Sequence, residues 1–126
     1  MSAGSQPTGK VHPRSFALLQ REGIPIAGYY SKSWDDLPEI PDIVITVCSH
    51  AAGETCPAYL GHAVRAHWGV DDPARVQGTD AEINASFEAA YQTLRARIMA
   101  FLQLESKILH DAAKLQASLQ QIANIV

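Results

Sequence analysis

Hydrophobic positions recur with different periods along the chain, and each change of period marks an element. Residues 1–10 show no period and are rich in Gly, Ser and Pro, which predicts loop. His12-Pro13 opens a predicted helix with Phe16, Leu18 and Leu19 on its apolar face and Gly23 placed to stop it. Residues 24–30, with Pro25 and Gly28 inside, read as a connector. Residues 31–37 predict a short helix capped by Ser33, because Asp36 follows at capping-box distance.

Past Pro41 comes a run of β-branched residues, 42–47, which predicts a short strand buried on both faces and delivers Cys48 at its C-terminal end. Residues 51–63, holding Gly53, Pro57 and Gly61, read mostly as loop. A second strand is predicted within 64–70, where Val64, Arg65, Ala66, His67 and Trp68 alternate before Asp71-Asp72-Pro73 ends the run. In open α/β folds, sites collect at the C-terminal ends of parallel strands, so Cys48 and Asp72 are both expected at one cleft.

From Thr79 the period moves to about 3.6. Thr79 and Glu82 form a capping box, and Ile83, Phe87, Ala90, Tyr91, Leu94, Ile98, Phe101 and Leu102 make one stripe. After a phase slip near Glu105 and Ser106, a second stripe runs through Ile108, Ala112, Leu115, Leu119, Ile122 and Val126. Two helices, or one bent helix, are expected. The element order predicts an α/β fold with a short parallel sheet in one domain, residues 1–126, with 1–10 as loop and 105–126 as a helical extension.

Composition narrows the function classes. Net charge is -3, and no Lys/Arg cluster is interleaved with aromatics, so nucleic acid is not an expected partner. No apolar stretch reaches the roughly 18 residues of a membrane span, and the start of the chain lacks a signal-peptide core, so a soluble, cytoplasmic protein is expected. In a reducing compartment its two cysteines are thiols, redox groups or metal ligands more readily than structural bridges.

Cys48 and Cys56 are separated by a flexible segment that can bring their sulfurs together; equally, Cys48 can be a buried strand-end residue and Cys56 an idle thiol. His50, His62 and His67 lie nearby without tetrahedral-site spacing, so no metal is expected. Asp72 can serve as a general acid or simply cap the turn at Pro73. The segment GSQPTGK lacks the features of a phosphate loop, having no strand before it and no GK[ST] ending.

Four segments in this order say more than spacing does: SAGSQPTGKVHP (2–13), SKSWDDL (31–37), VITVCSHAAGETCP (44–57) and HWGVDDP (67–73). Together they closely resemble the arsenate reductases of the low-molecular-weight tyrosine phosphatase superfamily, and the LRARIMAFLQL run resembles the family's C-terminal helix. The resemblance implies a flavodoxin-like parallel sheet with flanking helices. It also implies a thiol relay, in which a nucleophilic cysteine attacks arsenate, a second cysteine displaces arsenite, and a third forms the disulfide that an external donor reduces. Cys48 matches the second cysteine, Cys56 the third, and Asp72 the carboxyl that protonates the leaving oxygen. No bound cofactor is implied; the implied reductant is of thioredoxin or glutathione/glutaredoxin type.

The family's first strand and its oxyanion-binding loop would precede Ser2. The loop's signature is a Cys followed six positions later by Arg, whereas Cys48 is followed at that distance by Glu54 and Cys56 by His62. The expectation is an incomplete fold that does not reduce arsenate or take up a phosphate-like oxyanion by itself. It would expose one edge of the first strand and favour self-association through that edge or through the C-terminal apolar stripe. The alternatives are a non-catalytic dimerising or interaction module and a thiol redox partner using Cys48 and Cys56.

Overall fold

The computed structural model describes residues 1–48 and 62–126. Their elements are helix α1 (Pro13–Arg21), strand β1 (Ile43–Thr46), strand β2 (Val64–His67), helix α2 (Asp80–Leu102), a single turn α3 (Ser106–Leu109) and helix α4 (Ala112–Ile122), with 3-10 turns at Trp34–Asp36 and Pro73–Arg75. The α/β class with a parallel sheet is as the pattern predicted. Two compact units make up the chain, one of residues 1–39 with 72–89 and one of residues 40–71 with 90–126.

In the second unit β1 and β2 pair in parallel, with Ile43 opposite Val64 and Thr46 opposite His67. The ladder continues past the strands, where Trp68 N donates to Thr46 O at 2.8 Å and Val70 N to Val47 O at 2.9 Å. This register puts Ile43, Ile45, Val64, Ala66 and Trp68 on one face, because side chains alternate along a strand. Helix α4 covers that face with Leu115, Leu119 and Ile122, and Phe101 and Leu104 pack against the same cluster. Trp68 is buried and its indole Nε1 donates to Leu119 O at 2.9 Å, so the ring's polar atom is satisfied inside the core.

Two expectations are corrected here. The β1 strand is half-buried at every position and not buried on both faces, and Arg65 of β2 is exposed. The stripe on α2 turns: Ile98 and Leu102 are 49% and 64% exposed, while Arg97 is only 5% exposed. Of the C-terminal stripe, Leu115, Leu119 and Ile122 lie in the chain's own core.

In the first unit, His12 caps α1 by accepting Arg14 N on its Nδ1 at 3.1 Å. The other end of α1 closes with Gly23 N donating to Gln20 O at 3.0 Å and Ile24 N to Leu19 O at 2.9 Å. That paired reverse bonding requires a left-handed residue, and Gly23 has φ 74°. Gly23→Ala is expected to lower stability by about 1 kcal/mol, read as a fall in the denaturant midpoint with an unchanged slope. Ser33 caps the first 3-10 turn, but its Oγ takes Asp35 N at 3.1 Å and not the amide of Asp36. Thr79 caps α2, its Oγ1 accepting Glu82 N at 3.2 Å and donating to Glu82 Oε1 at 3.2 Å. Helix α1 is tied to the first turns of α2 by Arg14 to Asp80 at 2.8 Å and by Arg21 to Glu88. Glu88 and then Glu22 hold the Arg21 guanidinium still more firmly in its charged form.

Candidate functional site

Cys48 comes two residues after the last residue of β1 and is exposed. Its position is set by the ladder, since the neighbouring carbonyl of Val47 is held by Val70 N, which fixes the chain just before the thiol. Across the sheet, Thr46 Oγ1 and His67 Nδ1 hydrogen bond at 2.7 Å, a contact the parallel register forces because the two residues are opposite. The other ring nitrogen of His67 faces the chain at Gly69, where a Cβ would come within 3.0 Å of Nε2. A side chain at Gly69 would therefore be tight against the imidazole, which would have to give by a few tenths of an ångström.

Asp72 begins the Pro73–Arg75 turn as its cap. Its Oδ1 accepts Ala74 N at 2.9 Å, and its Oδ2 lies 3.6 Å from Arg75 Nε. The carboxyl is 48% exposed. The capping use of Asp72 is therefore realised, and it fixes the orientation of the group while leaving it open to solvent. Cys48 belongs with the sheet unit and Asp72 with the other unit. Cys56, Gly53, Pro57 and His50 lie outside the described residues, so the proposed partner of Cys48 falls there as well. Among the described residues no group of three His, Cys, Asp or Glu side chains could hold a metal ion.

The hydrophobic pattern does not pick out Arg97. Its Nε donates to Ile125 O at 3.0 Å and its Nη1 to Gly69 O at 3.2 Å. The guanidinium thereby joins the C-terminal segment to the loop that follows β2. A cation inside an apolar stripe was the available signal, because Arg is seldom fully buried unless its donors are satisfied.

Comparison with known proteins completes the picture. The family model for low molecular weight phosphotyrosine protein phosphatase matches residues 1–119. That is nearly the whole chain. The chain belongs to the low molecular weight phosphotyrosine protein phosphatase family. Within it, the chain is similar to proteins named arsenate reductase. It is 38% identical to one from Halalkalibacterium halodurans over 103 residues, covering 81% of this chain and 73% of that protein. A Bacillus subtilis arsenate reductase is 36% identical over the same shares of both chains. The phosphatase-family match spans Cys48, Cys56 and Asp72, so all three candidate residues lie inside the family domain. Among the described residues no helix is long and apolar enough to cross a membrane.

Proposed function

We propose that residues 1–126 carry the resolving half of an arsenate reductase. The carrying observation is the exposed Cys48 at the C-terminal end of β1, in a chain 36–38% identical to proteins named arsenate reductase. In this reading a nucleophilic cysteine from outside these 126 residues attacks arsenate. Cys48 then attacks that cysteine's sulfur, an S–S bond forms, and the As–S bond breaks with its electron pair leaving on arsenic as arsenite. Cys56 attacks Cys48 next, which frees the first cysteine and leaves a Cys48–Cys56 disulfide. An external dithiol of thioredoxin type, or glutathione with glutaredoxin, reduces that disulfide. Asp72 supplies the proton for the oxygen that leaves arsenic in the first step.

The chemistry supports these roles. Exchange proceeds by thiolate attack on an accessible sulfur, so an exposed Cys48 is suited to it. The cap bonds to Ala74 N and the contact with Arg75 keep Asp72 in one orientation, as a positioned proton donor needs. The need for thiol donors fits a reducing compartment such as the cytoplasm.

Two measurements test this. Incubated with arsenate and a thioredoxin system, the 126-residue chain is expected to form no arsenite, because none of its cysteines is followed six positions later by Arg. Under mild peroxide it is expected to form a Cys48–Cys56 disulfide, seen as loss of both thiols to labelling and lost in Cys48→Ser and Cys56→Ser. Arsenite production by the chain would refute the half-site reading, and two thiols that stay reactive would refute the relay pair.

A further inference from the structure

We infer that the first unit holds an oxyanion-binding pocket between the segment around Lys10 and the segment around Lys32, a site other than the Cys-to-Arg loop on which the expectation of no oxyanion uptake rested. A cavity of about 240 Å³ is lined there by Ser2, Lys10, Tyr30, Ser31 and Lys32 among others, and by no carboxylate. That volume is below the range typical of drug-sized ligands and fits a small ion or a small phosphorylated group.

Backbone bonding explains why two lysines distant in sequence share this cavity. Gly4 N donates to Lys32 O and Trp34 N to Gly4 O, each at 3.0 Å, so the chain before Gly4 runs beside the chain before Ser33 in a parallel bridge. The first loop then folds back at Gly9, which has φ 86°, and Gly9 N donates to Ser31 Oγ at 3.2 Å. Thr8 Oγ1 donates to Lys10 O at 3.0 Å and closes the turn that sets Lys10 on the rim.

The charge pattern selects the ligand. Among the described residues neither Lys10 nor Lys32 takes part in an ion pair, although acidic groups outnumber basic ones, 13 to 10, over the whole chain. Lys32 is half-buried, with Nζ over the Tyr30 ring at 4.4 Å from the centroid and 3.4 Å from Tyr30 O. That arrangement orients the ammonium yet uses one of its three hydrogens, which leaves donors for an acceptor in the cavity. Ser31 Oγ accepts from Gly9 and keeps its own O–H to donate. Two ammonium groups and a hydroxyl donor around one small cavity recognise the tetrahedral oxygens of phosphate, sulfate or arsenate, which present acceptors only.

Inorganic phosphate is the probe. Titrated into the ¹⁵N-labelled 126-residue chain at constant ionic strength, it is expected to give saturable amide shifts at Gly9, Ser31 and Lys32, with a Kd of about 1 mM or tighter. Lys10→Ala and Lys32→Ala are each expected to weaken binding about ten-fold, the effect of losing one charge-assisted hydrogen bond. Lys107→Ala, which removes a lysine paired with Glu105 at 3.2 Å, should leave the affinity unchanged. Lys10 is exposed, and among the described residues its hydrogen bonds are made by its backbone, so that variant remains informative even if Lys32→Ala does not fold. Non-saturating shifts, or equal affinity in Lys10→Ala and the unaltered chain, overturn the pocket. Neither outcome bears on the Cys48–Cys56 disulfide, so failure here is distinguishable from failure of the relay.

Discussion

Leu119→Ala is expected to lower unfolding free energy by about 3 to 5 kcal/mol, the largest loss from a single substitution considered for this chain. Leu119 has 0% exposure and sits at the centre of the cluster formed by Ala66, Trp68, Leu115 and Ile122. Shortening it removes buried methyl groups and leaves a void that its neighbours fill only in part. Its carbonyl stays in place to accept the Trp68 indole, so the cost measures packing and not a lost hydrogen bond. Against a total stability of roughly 5 to 15 kcal/mol for a domain, the loss takes a large part of the margin. Urea unfolding followed by Trp68 fluorescence reads it directly. Leu102→Ala is the matched control: the residue is 64% exposed, and its truncation is expected to change stability by no more than about 0.5 kcal/mol. A cost above about 2 kcal/mol at Leu102 would place that side chain in a core, contrary to the register of α2 described above.

Arg97→Met is the second large effect, expected at about 1 to 3 kcal/mol. The methionine nearly keeps the volume and apolar stem of the arginine but withdraws the donors from Ile125 O and Gly69 O. Gly69 is exposed and Ile125 half-buried, so water replaces the lost donors in part, and a net cost of about 0.5 to 1.5 kcal/mol per hydrogen bond sets the range for two. Lysine at this position brings one compact ammonium in place of a planar fork, so Arg97→Lys is expected to recover only part of the loss. Hydrogen exchange locates the effect. In Arg97→Met the amides of residues 123–125, and of Val70 after the Gly69 loop, are expected to lose protection before the rest of the sheet. Uniform loss of protection across the unit would mean that Arg97 acts only through global stability.

Local chemistry made much of this legible. The caps at Ser33 and Thr79, the stop at Gly23 and the β-branched run of β1 act over a few residues, so their chemistry is visible in order along the chain. The phase slip near Glu105 was legible for the same reason, and it separates α2 from the short turn α3 and from α4. The candidate site was read in a different way. Cys48 and Asp72 were picked out as candidates because each follows a strand, and because the motifs around them resemble one family, to which the matched residues 1–119 belong.

The misreadings have one physical source. The period of an amphipathic helix fixes that a face is buried, but small rotations about its axis exchange neighbouring positions between core and solvent. On α2 that rotation exposes Ile98 and brings in Arg97, because carbonyls of the C-terminal segment and of the loop after β2 need donors there. In β1 an uninterrupted apolar run suggested two covered faces, whereas α4 covers one.

The sequence by itself determined the elements, their caps, the parallel α/β class and the family, since each rests on local patterning or on motifs whose order is the information. Tertiary structure alone decided the pairing of Ile43 with Val64, the burial of Arg97, the His67–Thr46 bond and the meeting of Lys10 with Lys32. Each of these joins residues about twenty or more positions apart. Whether such groups touch is set by register and packing, which depend on the whole chain's balance of burial and hydrogen bonding.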